Sequence, residues 1–229
     1  MRRPMSVMRT DPAEGWFEIL FKEVGAGTRL LGGCERGDRL SVLGPIGRGF
    51  APSPDRPRRL LLGGGVGIPP ILFLAERLAA SRPVVLMGSE VPFPFDLGRS
   101  AMPEAGLPAG AALGCLEEAG IPSRTASRAG LPGCFDGLVT DLARDWLAVR
   151  SSLEEVELFA CGPEPMLRAV AELGREFGVP TQLALEEHMA CGTGGCAGCN
   201  VPVRTPDGPA MKRVCVDGPV FDGASVFGD

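Results

Sequence analysis

The chain has 229 residues, 45% of them hydrophobic and 22% charged, enough apolar content for a substantial core in one large domain or two to three small ones. No apolar run approaches the roughly 18 residues of a membrane-spanning helix. Residues 1–6 carry basic side chains without the apolar stretch of a secretory signal, so no membrane partner and a cytoplasmic location are expected. The formal net charge of −5, from 23 basic and 28 acidic residues with no basic block, argues against a nucleic-acid partner.

Three zones follow one another along the chain. Residues 1–54 hold short strand-like pieces, Trp16–Phe21 and Arg39–Leu43, broken by Gly and Pro. Pro52, Pro54 and Pro57 read as a linker. Residues 55–182 alternate apolar runs with helical periods, as βαβ units do. Leu60–Leu62, Val84–Met87 and Val156–Ala160 read as buried parallel strands. Met166, Val170, Leu173 and Phe177 share one face of a helix that Gly178 ends. Residues 92–132 are rich in Pro, Gly and Ala and read as an irregular insertion with one short helix at most. Residues 183–229 carry a cysteine cluster. The fold class is therefore α/β plus β.

The strongest chemical signal is Cys191-x4-Cys196-x2-Cys199-x15-Cys215, with Gly192, Gly194, Gly195 and Gly198 between the cysteines. A [2Fe–2S] cluster takes four thiolates, and this is the plant-type spacing. The glycines suit a loop whose backbone must wrap a cluster and turn N–H groups toward its sulfides. A structural zinc site is the rival, but it favours two C-x2-C knuckles and only one is present. The scattered Cys34, Cys115 and Cys134 read as non-functional small hydrophobes.

The second signal is Gly63-Gly64-Gly65-Val66-Gly67 between an apolar strand and a helix opened by Pro69 and Pro70. Such a turn lets a dinucleotide pyrophosphate approach backbone N–H groups at the helix N-terminus. An ordinary strand–helix turn has the same look. The third is Cys161-Gly162-Pro163, where a strand ends at a ligand crevice and a nicotinamide could reach the thiol; a packed structural cysteine reads equally well. The fourth is Arg3-Pro4-Met5-Ser6 with Gly27-Thr28, an Arg, a hydroxyl and a Gly-Thr pair able to hold a diphosphate, though each fits an ordinary turn when taken alone. Glu90, just past the Val84–Met87 strand, could hold ribose hydroxyls and repel a 2′-phosphate. His188 reads either as a group beside the cluster or as a solvated turn residue, and Glu186 and Glu187 as flavin neighbours or surface charge.

In order and spacing these signals resemble the electron-transfer subunits of NAD-linked (class 1B) dihydroorotate dehydrogenases, within the ferredoxin–NADP reductase superfamily. The sharpest stretches are Leu185–Cys199 and Lys212–Phe221, the latter ending in Cys-x-Asp-Gly-Pro-Val-Phe. The resemblance implies FAD contacts at Arg3, Pro4, Met5, Ser6, Gly27 and Thr28. It implies pyridine-nucleotide contacts at Gly63, Gly64, Gly65, Gly67, Cys161, Gly162 and Pro163, and cluster ligation by Cys191, Cys196, Cys199 and Cys215. It implies a partial flavin-binding antiparallel β-barrel over 1–54 that lacks its N-terminal strands, because the family carries more chain before Arg3. Residues 55–182 become an NAD-binding α/β domain and 183–229 a small [2Fe–2S] domain. The activity implied is an oxidoreductase relay in pyrimidine biosynthesis, from the FMN of a partner catalytic subunit through [2Fe–2S] and FAD to NAD⁺, in a heterotetramer of two plus two. A homologous reductase subunit of a hydrogenase, sulfide-linked or transhydrogenase complex stays open, as does a non-enzymatic zinc-stapled module.

Overall fold

A computed structural model describes residues 3–228. In chain order its elements are strands β1 (Val7–Asp11) and β2 (Trp16–Ile19), helix α1 (Ala26–Gly32), β3 (Arg58–Gly64), α2 (Ile68–Arg77), β4 (Val84–Gly88), β5 (Leu97–Arg99), β6 (Ala111–Leu113), α3 (Gly114–Glu118), β7 (Ser123–Ala126), α4 (Val139–Ala148), β8 (Val156–Cys161), α5 (Glu164–Phe177), β9 (Thr181–Ala184), β10 (Asn200–Thr205), β11 (Gly208–Arg213), β12 (Val220–Asp222) and α6 (Gly223–Phe227). Among these residues no helix is long and apolar enough to cross a membrane.

The centre is a six-stranded sheet in the order β12-β9-β8-β3-β4-β7, parallel except for β12. Side chains alternate across a strand, so β3 serves both faces. Leu60 and Leu62 pack with Leu142 and Trp146 of α4 and Val170 and Leu173 of α5. Leu61 packs on the other side with Ile71 and Leu72 of α2. All three strands read as buried from their apolar runs lie in this sheet, and α5 ends at Gly178 in the left-handed conformation, φ +65°. Because β3 pairs with β4 on one side and β8 on the other, chain order reverses between β3 and β8. An open α/β sheet forms its ligand crevice at that reversal.

The insertion is more ordered than its composition suggests. It contains the β5–β6 hairpin, α3 and the sheet strand β7. β7 reads Ser-Arg-Thr-Ala, which carries no apolar signature, yet all four residues are buried. Its polar groups are satisfied locally. Ser123 Oγ accepts from the Leu113 N–H at 3.3 Å, and Thr125 Oγ1 donates to the Ala111 carbonyl at 3.1 Å. The Arg124 guanidinium donates to the carbonyls of Pro108 (2.7 Å), Ser123 (2.7 Å) and Met102 (2.9 Å). Burial lowers the Arg124 pKa, opposed by the charges of Glu117 and Glu104.

The N-terminal zone departs from expectation. Among the described residues the partial barrel is represented by the antiparallel β1–β2 hairpin alone, packed on α2 through Met8 and an Arg9–Glu76 ion pair of 2.9 Å. Arg39–Leu43 forms no strand, and Leu40 and Val42 are exposed. The proline-rich linker is not a free tether. The buried Glu157 accepts from the Ser53 N–H at 3.0 Å, and Gln182 brackets Ala51 with bonds of 2.9 and 2.8 Å. Phe50 stands edge-on to Phe159 at 5.7 Å.

The cysteine-bearing segment is joined to the sheet rather than hung from it. β9 spans residue 183, the chain leaves at Ala184, and it returns as β12 beside β9. Cys199, Val201, Val203, Val214 and Cys215 are buried with Leu167, Val170 and Leu183 in one continuous core.

Replacing Arg124 with Met should deprive three carbonyls of their donor, that of the buried Ser123 among them, at a cost of about 2 kcal/mol. Urea unfolding should show a lower midpoint at unchanged slope.

Candidate functional site

β3 and β8 end level with each other, Gly63 opposite Cys161. Beyond them two turns meet backbone to backbone. A Cβ on Gly67 would stand 2.2 Å from the Cys161 carbonyl oxygen, and one on Gly162 would stand 3.1 Å from Gly64 Cα. A Cβ on Gly64 would meet Met166 Sδ at 2.5 Å and Pro163 Cδ at 3.1 Å. Only glycine permits this approach. Gly65 differs: it is exposed, has φ +53°, and nothing lies within 4 Å of its Cβ position. The turn therefore presents an open backbone to the crevice at the start of α2, the arrangement that receives a pyrophosphate. Pro69 and Pro70 occupy the first turn of α2, where a missing N–H leaves no intrahelical bond unmade.

The structure thus brings Gly63, Gly64, Gly65, Gly67, Cys161, Gly162 and Pro163 together. Cys161 is 2% exposed. Burial, and then the charge of Glu186, push its thiol far above the ordinary range, so it stays protonated. A thiol so held is neutral and a poor nucleophile. The Glu186 carboxyl is itself raised by desolvation. Glu90 lies past the end of β4, 3.9 Å from the Arg128 guanidinium beyond β7.

The four clustered cysteines lie on the loop between β9 and β10 and just after β11. Gly192 (φ +69°), Gly194 (φ +82°) and Ala197 (φ +54°) turn this loop through left-handed conformations. The thiols form two hydrogen-bonded pairs, Cys191 with Cys196 and Cys199 with Cys215. Among the described residues no three His, Cys, Asp or Glu side chains stand close enough to hold a single metal ion. Four thiolates are the ligand set of a [2Fe–2S] centre, two to each iron. N–H groups of Thr193 and Cys196 bond the Cys191 sulfur and bring its pKa down to about 6. Burial and the bond shared with Cys199 raise Cys215, opposed by an N–H bond from Gly194. The Cys199 carbonyl accepts from the Val214 N–H at 3.0 Å, so the loop and the strand end carrying the fourth cysteine are held together. His188 is exposed.

The flavin candidates also converge in part. The Arg3 guanidinium lies against Gly27, 3.0 Å from where a Cβ would be. Thr28 is buried, and its hydroxyl accepts from the N–H groups of Val24 (2.9 Å) and Gly25 (3.1 Å). That hydroxyl therefore shapes the turn. Met5 and Ser6 are half-buried and Pro4 exposed on the chain leading into β1.

The segment 43–50 links the cysteine loop to the end of β8. Leu43 and Ile46 pack at Gly192 beside Cys191. The Arg48 N–H donates to the Gly218 carbonyl, and Phe50 reaches the strand that carries Cys161. Sequence reasoning passed over Arg213 and Asp217, although they flank Cys215 at i, i+4 spacing; the Arg213 N–H and guanidinium donate to Asp217 at 2.8 and 3.0 Å. This partner draws the Asp217 pKa down to about 2.

The sequence pattern of the iron-sulfur cluster binding domain of dihydroorotate dehydrogenase B matches residues 186–227, the span holding all four clustered cysteines. The dihydroorotate dehydrogenase B (NAD(+)) electron transfer subunit of Bacillus caldolyticus is 37% identical over 230 residues, covering 99% of this chain and 80% of that protein. Its counterpart in Caldanaerobacter subterraneus is 35% identical, covering 96% of this chain and 78% of that protein. The chain belongs to the family of dihydroorotate dehydrogenase B electron transfer subunits. A chain of the solved NADH-dependent reduced ferredoxin–NADP oxidoreductase is 31% identical and superposes with a TM-score of 0.76 over 98% of this chain and 74% of that one. The ferredoxin reductase-like architecture expected for the family is thereby shared.

Gly67→Ala should drive the two turns of the crevice apart, since its Cβ has no space against backbone. NADH binding should weaken at least tenfold, about 1.4 kcal/mol; titration of the nucleotide against the folded variant checks this.

Proposed function

We propose that this chain is the electron-transfer subunit of an NAD⁺-linked dihydroorotate dehydrogenase. The reading is supported by two features that meet on one sheet, glycine turns at the ends of β3 and β8 with the open backbone a pyrophosphate requires and a loop carrying the clustered cysteines, which residues 43–50 tie together. Family membership supplies the reaction. When bound, the [2Fe–2S] centre passes single electrons, and FAD converts them to the hydride that NAD⁺ accepts. The chain itself supplies position, environment and an interface, and no acid–base residue is assigned.

Cys191, Cys196, Cys199 and Cys215 are the cluster ligands in this reading. Gly63, Gly64, Gly65 and Gly67 receive the nucleotide pyrophosphate, and Cys161, Gly162 and Pro163 wall the nicotinamide side. Arg3, Pro4, Met5, Ser6, Gly27 and Thr28 form the FAD site; the contact of Arg3 with Gly27 supports it. The three zones 1–54, 55–182 and 183–229 divide these tasks. The partner is an FMN-bearing catalytic subunit in a two-plus-two heterotetramer. It must reach the thiol loop, and the exposed Leu43 and Ile46 beside Gly192 offer an apolar border there. A reducing cytoplasm suits eight free cysteines.

One alternative has an observation of its own. The likeness to the NADH-dependent reduced ferredoxin–NADP oxidoreductase chain favours a homologous subunit that feeds a different partner. Co-purification separates the two readings by whether a dihydroorotate-oxidising flavoprotein or another oxidoreductase accompanies the chain.

Protein co-expressed with its partner and handled anaerobically should contain iron, labile sulfide and FAD. Cys196→Ser should remove the iron-sulfur absorption and at least nine-tenths of partner-dependent NADH formation while the fold persists by circular dichroism. Retention of both would refute the ligand assignment. Glu90→Gln should raise NADPH use relative to NADH several-fold, because it removes the carboxylate facing the ribose and leaves Arg128 free for a 2′-phosphate. Parallel diaphorase assays with the two cofactors check this.

A further inference from the structure

Arg213 stands at the end of β11, two residues before Cys215, and its guanidinium divides its bonds between two segments. Nε and Nη2 donate to Asp217 at 3.0 and 3.4 Å, with the Arg213 backbone N–H adding a bond of 2.8 Å to the same carboxylate. Nη1 reaches across to the Gly194 carbonyl at 3.2 Å, inside the loop between Cys191 and Cys196. Gly194 is held from both ends: its carbonyl accepts from Arg213, and its N–H donates to the Cys215 sulfur. Its φ of +82° suits glycine, and a Cβ there would press on Arg213 Nη1 and Val216 at 3.1 Å. The carbonyl of Arg213 meanwhile accepts from the N–H groups of Val216, Asp217 and Gly218, which fixes the turn after Cys215.

The side chains of Arg213 and Asp217 are 43% and 25% exposed, where an ion pair adds little stability. Geometry is the better account of the pair. Asp217 fixes the plane of the guanidinium, and the guanidinium fixes the Gly194 carbonyl. That carbonyl shares a rigid plane with the Gly195 N–H, and with the Gly194 N–H bonded to the Cys215 sulfur in the preceding peptide, Gly194 is restrained on both sides.

We propose that Arg213, braced by Asp217, is a positioning residue for the iron-sulfur centre, orienting the Gly194 segment so that its N–H is directed at the Cys215 sulfur. The inference rests on the cluster reading above. Hydrogen bonds to ligand sulfur favour the more negative, reduced form and raise the reduction potential. Loss of the clamp therefore moves the potential downward.

The experiment uses the complex with its catalytic partner, in wild-type, Arg213→Lys and Asp217→Asn forms. Iron and labile sulfide in the wild type are measured first; their absence overturns the cluster reading itself, whatever the variants do. With the centre present, dye-mediated redox titration followed by electron paramagnetic resonance reads the potential. R213K keeps the charge but loses the fork, and D217N removes a negative charge. The positioning role predicts a more negative potential in both. Charge alone predicts no change for R213K and a more positive potential for D217N, and either result overturns the proposal. Hydrogen exchange of the 192–195 amides supplies a second reading that holds even for a variant that retains less iron. Exchange at least tenfold faster in both variants supports the clamp, and unchanged exchange overturns it.

Discussion

The central sheet meets at two backbone turns that lie closer than side chains allow. Gly67 abuts the Cys161 carbonyl, and Gly162 abuts Gly64. This contact is possible because β3 and β8 are adjacent, parallel and in a register that ends Gly63 level with Cys161. Their adjacency in turn follows from the reversal of strand order, with β4 and β7 on one side of β3 and β8 and β9 on the other. A one-residue slip would exchange the faces of Leu60, Leu61 and Leu62. Two clusters of core residues, one per face, therefore hold the register that the crevice needs.

The second centre is coupled to the first through the same sheet. The chain leaves β9 to build the cysteine loop and the β10–β11 hairpin, then comes back as β12 on the outer edge of β9. Cys199 and Cys215 are buried in the core that α5 shares with the sheet, while Cys191 and Cys196 stand nearer solvent. A cluster held between the two pairs would have one side anchored and one side accessible to an electron donor. The segment 43–50 completes the connection, touching Gly192 at one end and Phe159 at the other. An electron carrier needs this kind of rigid link, because its task is to keep cofactors at fixed separations while they do the chemistry.

The peripheral parts show how polar residues can build structure without apolar patterning. β7 is buried although it reads as polar, because Ser123, Arg124 and Thr125 each bond backbone groups of the insertion. The linker at residues 51–53 is fastened by Glu157 and Gln182, more than a hundred positions away in sequence. By contrast Arg39–Leu43 has the composition of a strand and forms none.

Much of the site was legible from residue order because its signals are local. Cysteine spacing, a glycine turn after an apolar run, and a helical period stopped by Gly178 each lie within one element and follow from backbone sterics and side-chain chemistry. The three buried strands and α5 were readable for that reason, as were the four thiols. What the chain order could not disclose depends on contacts between distant positions: the burial of β7, the return of β12, Arg3 against Gly27, and the grip of Arg213 on Gly194. Those interactions exist only once the sheet has brought separate segments together, since a hydrogen bond has no signature in either partner's local sequence. Composition and spacing determined which chemistry this protein could host; the packing of the sheet decided where each group stands to perform it.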